Sequence, residues 1–181
     1  MQLLEKENTG ILIIDLQEKL MAVMRQKQSV VDNTIRLLEL SKTYELPVLM
    51  TEQYPKWLGP TLPEVVETSP SYDPISKMHF NCCDVEAFNE SLTPLKCENL
   101  IVLGVETHIC VFQTCVSLLE RGYHVHVPQD AVTSRTDENW QIGLRLMERA
   151  GAFITSTETI IYQIMKKAGT PEFKKMLKVI K

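Results

Sequence analysis

The chain has 181 residues, a formal net charge of −4 and five cysteines. That length suits one domain that buries a core without staples, and the charge offers no basic footprint for nucleic acid or an anionic membrane. No apolar run is long enough to cross a bilayer, the acidic start Met1-Gln-Leu-Leu-Glu-Lys-Glu7 lacks a signal peptide's order, and an odd cysteine count without C-x-x-C argues against a disulfide framework. A cytoplasmic protein is the expectation. In chain order, Gly10 to Leu16 reads as a buried strand. It carries Asp15 at its carboxyl end, a charge that is costly there unless paired or placed in a polar crevice. Ser29 to Leu46 has helical spacing, with Val31, Ile35 and Leu38 on one face. Pro47 to Thr51 is a second strand. Glu52 to Ser71 reads as a long loop with one short helix near Glu64 to Thr68, and loops of this length are usually functional or mobile.

Pro74 to Met78 is a short extended piece containing Lys77. Asp84 to Leu95 is a modest helix with Asp84 as its cap. Leu100 to Leu103 is an apolar run rich in branched side chains, the mark of a strand buried on both faces. Gly104 breaks it. From His108 the period becomes helical until Gly122, with Val111, Cys115, Leu118 and Leu119 on one stripe. Tyr123 to Val127 is a strand. Ser134 to Asp137 resembles a capping box opening a helix with Trp140, Leu144 and Met147 on one face. Gly151 closes that helix, and Ala152 to Ser156 is the last strand. Thr170 caps a final helix with Pro171 at its first position. Phe173, Met176, Leu177 and Ile180 form its apolar stripe, and Lys174, Lys175, Lys178 and Lys181 a solvated basic face.

Strands alternating with helices predict an α/β fold of three layers: a doubly wound, Rossmann-like, mainly parallel sheet with helices on both faces. Residues 1–181 read as one domain. Ligands of such sheets sit beyond the carboxyl ends of the strands, where strand order reverses. Asp15 ends the first strand and Cys110 follows the fourth, and these are neighbours at the switch point of the common order. Cys110 also falls in the first turn of its helix. Unpaired amides and the helix dipole favour negative charge there, so a reactive thiolate is expected.

Four motifs stand in order: Ile14-Asp15-Leu16-Gln17; Lys77 ahead of Asp84-Val-Glu-Ala-Phe88; Gly104-Val-Glu-Thr-His-Ile-Cys-Val-Phe-Gln-Thr114; and Asp130-Ala-Val-Thr-Ser134. Together they resemble those of the isochorismatase-like cysteine hydrolases, which include nicotinamidases and N-carbamoyl amide hydrolases. The resemblance runs from Ile11 to about Thr157. It implies Cys110 as nucleophile, Asp15 as general base, Lys77 as the cation that holds both, and a covalent acyl- or carbamoyl-enzyme. It also implies a cis peptide between Val105 and Glu106, with the amides of Glu106 and Cys110 aimed at the oxyanion. A homo-oligomer acting on a small molecule, with no cofactor, is implied as well.

Two departures narrow the expectation. Metal-binding nicotinamidases carry histidines after the second strand, whereas Glu52-Gln-Tyr-Pro-Lys-Trp-Leu-Gly-Pro-Thr61 has none. No metal is therefore expected, and nicotinamide is disfavoured. Enzymes that split isochorismate lack the cysteine, so Cys110 argues against that vinyl-ether reaction, which would use Asp15 instead. Gln17, Tyr54, Trp57, Phe80 and His108 are candidates for the substrate pocket, with Phe112 a weaker one. Cys115, His124 and His126 read as structural. A non-catalytic alternative keeps the fold as a redox-responsive or partner-binding protein, with Cys82 and Cys83 as an exposed sensor pair.

Overall fold

The computed structural model describes residues 3–180. Its strands are β1 (Thr9–Ile14), β2 (Val48–Gln53), β3 (Ile75–Lys77), β4 (Asn99–Val105), β5 (His124–Pro128), β6 (Val132–Thr133) and β7 (Phe153–Thr155). They form one seven-stranded sheet in the order β3-β2-β1-β4-β5-β7, with β6 beside the end of β4. Every pairing is parallel. β1 and β4 lie side by side at the centre, and every residue of both is buried. This is why both read as unbroken apolar runs rather than alternating ones.

Helices cover the sheet in two groups. Lys27–Tyr44 packs with Pro63–Thr68, Thr157–Met165 and Pro171–Ile180, while Phe112–Glu120 packs with Asp137–Ala150. The α/β architecture agrees with the sequence reading. Several boundaries differ from it. β2 continues two residues past the expected end, through Glu52 and Gln53. The loop that follows holds helical turns at Pro55–Leu58 and Pro63–Thr68. The helix expected from Asp84 spans Glu86–Leu92, and Asp84 lies in a tight turn, Cys82–Asp84, whose cap is Asn81. Thr136, not Ser134, caps the Asp137–Ala150 helix by accepting from Asn139 N at 3.2 Å. Ser134 lies two residues before that cap, and its hydroxyl meets His108 Nδ1 at 3.0 Å. Thr157–Met165, for which no element was expected, is a helix capped by Ser156. Thr170 Oγ1 caps the last helix through Phe173 N at 3.1 Å, as expected. Its Lys174, Lys175 and Lys178 are exposed; Lys181, Met1 and Gln2 lie outside the described residues.

Gly104 sits where β1 and β4 come closest, with φ of 118°. A Cβ there would lie 2.0 Å from the Ile14 carbonyl oxygen. Only glycine fits, and the close approach brings the chain after β4 against the end of β1. The next peptide but one, Val105–Glu106, is cis. Among the described residues no helix is long and apolar enough to cross a membrane.

Candidate active site

Strand register assembles a polar cluster at the carboxyl edge of the sheet. Ile14 pairs with Thr51, and Gln53 pairs with Lys77. Thr51 and Gln53 are two apart, so they share a face of β2. Asp15 follows Ile14 in a left-handed conformation, φ 54°, with its N–H donating to Thr51 O at 3.2 Å. Lys77 Nζ donates to Asp15 Oδ2 at 2.7 Å, to Gln53 Oε1 at 2.7 Å and to His79 O at 3.3 Å. Thr51 Oγ1 donates to the other oxygen, Oδ1, at 2.8 Å. The Asp15 and Lys77 side chains are both fully buried. Taking two ions out of water costs several kcal/mol each, about 5 or more, unless geometry and further hydrogen bonds compensate. Here both conditions hold.

Cys110 reaches this cluster from β4. Thr107–Val111 forms one wide π-type turn before the Phe112–Glu120 helix, and such turns recur at functional sites. Both Ile109 N, at 3.0 Å, and Val111 N, at 3.3 Å, donate to Glu106 O. The Asp137–Ala150 helix presses on the turn through Gly143, where a Cβ would lie 2.8 Å from the Thr107 carbonyl carbon. On the other side the Glu106 carboxylate accepts from Arg135 N and from Arg135 Nε, each at 3.1 Å. The turn is thus clamped from two directions, and Cys110 is buried beside Asp15, near enough for each to shift the other's titration.

Burial raises the pKa of Asp15, against the opposing pull of the Lys77 charge and the hydrogen bonds from Lys77 and Thr51. At Lys77 burial favours the neutral amine, yet the Asp15 charge and its hydrogen bond act against it, and the ammonium is held above its ordinary value. Cys110 is pushed up to about 12, first by burial and then by the Asp15 charge, with Lys77 opposing. The expected resting thiolate is therefore corrected to a thiol. The helix-terminus argument is local, whereas burial and a carboxylate from another strand are tertiary and prevail. Asp15 in turn is a stronger base than a solvated aspartate.

The other residues singled out from sequence fall in three ways. Gln17 is wholly buried and spends its amide on the chain. Its Nε2 donates to Gln53 O at 3.0 Å and Gly59 O at 2.6 Å, and its Oε1 accepts from Gln53 N at 2.7 Å. It braces the strand ends, with both amide N–H groups engaged by the chain. Tyr54, Trp57 and Phe80 are exposed after β2 and β3, and Lys19 Nζ sits 5.4 Å from the Trp57 ring centroid. His108 is half-buried on Ser134, and Phe112 is half-buried. Cys82 and Cys83 are buried, which corrects the expected exposed pair. Burial also pushes both thiols up to about 11. Cys115 is core, as expected. Among the described residues no three His, Cys, Asp or Glu side chains are grouped to hold a metal ion.

Sequence reasoning missed Thr51, Gln53, Glu52 and Arg135. Glu52 is a buried carboxylate whose Oε1 accepts from Thr61 N at 2.7 Å, Thr61 Oγ1 at 2.8 Å and Tyr72 OH at 2.7 Å. It ties down the loop after β2. No alternation marked the strand's continuation, because Thr51, Glu52 and Gln53 are all polar and all buried.

Known proteins resemble this chain in sequence and in fold. The chain is 36% identical over 176 residues to the secreted isochorismatase effector Isc1 of Phytophthora sojae, covering 94% of this chain and 83% of that protein. Among solved structures, MAR1 ribonuclease from Caenorhabditis elegans superposes with a TM-score of 0.92 at 34% identity, covering 99% of this chain and 92% of that one. An octameric hydrolase of unknown specificity from Escherichia coli superposes with a TM-score of 0.86 at 25% identity, covering 91% and 83% respectively. The isochorismatase domain family matches residues 9–159, and the chain belongs to the isochorismatase family.

Proposed function

We propose that this protein is a metal-independent cysteine hydrolase that cleaves a small amide, carbamoyl or related acyl substrate. The observation that carries this reading is the buried Asp15–Lys77 pair at 2.7 Å with the Cys110 thiol beside the same carboxylate. A protonated nucleophile needs a base within reach, and a base needs a group that orients it.

In the proposed reaction Cys110 gives its proton to Asp15 as the sulfur attacks the carbonyl carbon. The carbonyl electron pair moves onto oxygen, towards the backbone amides of Glu106 and Cys110, where such donors are worth about a hundredfold each in rate. Collapse breaks the C–N bond, and the leaving nitrogen takes the proton from Asp15. Water then attacks the thioester and gives a proton to Asp15, which returns it to sulfur as the acid leaves. Lys77 stays an ammonium throughout and keeps Asp15 a carboxylate between transfers. We read Tyr54, Trp57 and Phe80 as the outer wall of the pocket, and the assembled enzyme as a homo-oligomer, in line with the octameric neighbour.

The test is a panel of small amides and ureido acids, with a short RNA included because the nematode neighbour is named a ribonuclease. Turnover of a panel amide should vanish in Cys110→Ala while the thermal transition stays within a few degrees. Equal turnover by that variant, or RNA cleavage that survives it, would replace this reading.

A further inference from the structure

Lys77 has a second partner that the proposed reaction does not use. Gln53 Oε1 accepts from Lys77 Nζ at 2.7 Å, and Gln53 Nε2 donates to Met78 O at 3.0 Å. The amide fits in one orientation only, since an ammonium can only donate and a carbonyl can only accept. Gln53 is itself fixed at both ends of its backbone. Its N–H donates to Gln17 Oε1 at 2.7 Å, and its carbonyl accepts from Gln17 Nε2 at 3.0 Å. Gln17 is anchored in turn to Gly59 O at 2.6 Å. A continuous chain thus runs from the loop after β2, through two glutamines, to the cation on Asp15. The links between Gln17, Gln53 and Lys77 are buried, and those to Gly59 O and Met78 O are part-buried.

We propose that Gln53 is the positioning residue for Lys77, and that Gln17 sets Gln53 in place. This rests on the cysteine-hydrolase reading of the same site. A lysine ammonium is a flexible point charge on four rotatable carbons. Asp15 and the longer contact to His79 O, 3.3 Å, would let it swing with the carboxylate each time the carboxylate took up a proton. Because Gln53 is neutral, it holds the ammonium without competing for its charge, so Lys77 remains in place while Asp15 cycles between carboxylate and acid. Glutamate in the same position would keep the acceptor but divide the ammonium between two anions, and would set a carboxylate oxygen against the Met78 carbonyl.

The experiment needs no substrate. Alkylation of Cys110 by iodoacetamide is followed by mass spectrometry across pH in the full chain, alongside the thermal transition of each protein. Gln53→Met should slow Cys110 alkylation at neutral pH about tenfold, the scale of one hydrogen bond to a charged group, and should move the rising limb of the profile to higher pH. Gln53→Glu should move that limb further in the same direction, because a second anion weakens the hold on Asp15. Asp15→Asn is the control for the catalytic reading. If Asp15→Asn leaves the Cys110 profile unchanged, the triad falls and this inference with it. If Asp15→Asn moves the profile while Gln53→Met lowers only the melting temperature, the triad stands and Gln53 is structural, which overturns the positioning role.

Discussion

Two buried polar sites in one sheet are treated in opposite ways. At the carboxyl ends of β1 to β3, Asp15 and Lys77 are both fully buried, and each is paired and further hydrogen-bonded. On β5, one strand in from the β7 edge, His126 is equally buried, yet its Nε2 has no partner among the described residues. Its ring stacks on Phe153 of β7, with centroids 4.8 Å apart and planes at 28°. Burial first, and the charge of His124 second, lower its pKa to about 4. The first site uses a network to keep ions where water is excluded. The second keeps a titratable ring neutral and uses it as an aromatic filler. Burial is the same; what differs is whether partners are supplied, and partners are supplied where the proposed reaction needs charge.

The largest expected effect breaks the first site. Lys77→Met leaves Asp15 buried without its cation, which typically costs about 3–5 kcal/mol. Asp15 can escape that cost by binding a proton, so the loss should be greatest at neutral pH and shrink as pH falls towards 4. Urea unfolding of the variant at several pH values reads this directly. Adding Asp15→Asn to Lys77→Met should recover part of the stability at pH 7, since the orphaned charge is then gone. A Lys77→Met protein as stable at pH 7 as its parent would mean the pair carries no net structural weight.

A smaller effect sharpens the second site, and its sign follows from linkage. The folded state holds His126 neutral down to about pH 4, whereas the unfolded chain binds the proton near the ordinary value of about 6.5. Stability from this residue is present above about 6.5 and is lost as pH falls towards 4, by up to about 3 kcal/mol. His126→Phe keeps a ring against Phe153 and removes the titration. Its stability should match the parent at pH 7.5 and exceed it at pH 4.5. Parallel pH curves for the two proteins would show that another group governs acid sensitivity.

The same contrast explains what was legible in the sequence. β1 and β4 were readable because strands buried on both faces have to be apolar throughout, and Gly104 because nothing else fits beside Ile14 O. The placement of Asp15 beside the β4 turn follows from ordinary doubly wound order. Lys77 carries no local signal of its own; only motif order singled it out. Gln53 was hidden because a polar strand end looks like the start of a loop, and only register against β3 puts it on Lys77; Thr51 lay within the expected strand, and its bond to Asp15 depends on register against β1. The state of Cys110 was misread for a related reason. Its helix turn is local and visible, while the carboxylate that raises its pKa arrives from another strand. Ser134 is not the cap because the helix starts later, at Asp137; its hydroxyl meets His108, a residue 26 positions away in sequence. The other misses are tertiary contacts overriding a local preference.

Glu52 lies between the two extremes and gives the smallest test. It is a buried carboxylate without a cation among its hydrogen-bond partners. Its Oε1 is held by the Thr61 amide and hydroxyl and by Tyr72 OH, all within 2.8 Å. The burial of Tyr72 and its bond to Glu52 together raise that phenol's pKa. Hydrogen bonds to an ionised acceptor are roughly twice as strong as neutral ones. Glu52→Gln keeps the accepting oxygen in place and removes only the charge, so it should cost about 1 kcal/mol. That is well below the loss expected for Lys77→Met, because no ion is orphaned. The loss should also be local: limited proteolysis should nick the loop between Gly59 and Tyr72 faster, while the urea midpoint moves little. If Glu52→Gln instead destabilised the whole chain as much as Lys77→Met, neutral donors and a cation would be equally able to support a buried carboxylate here. The distinction between the two kinds of buried site would then fail.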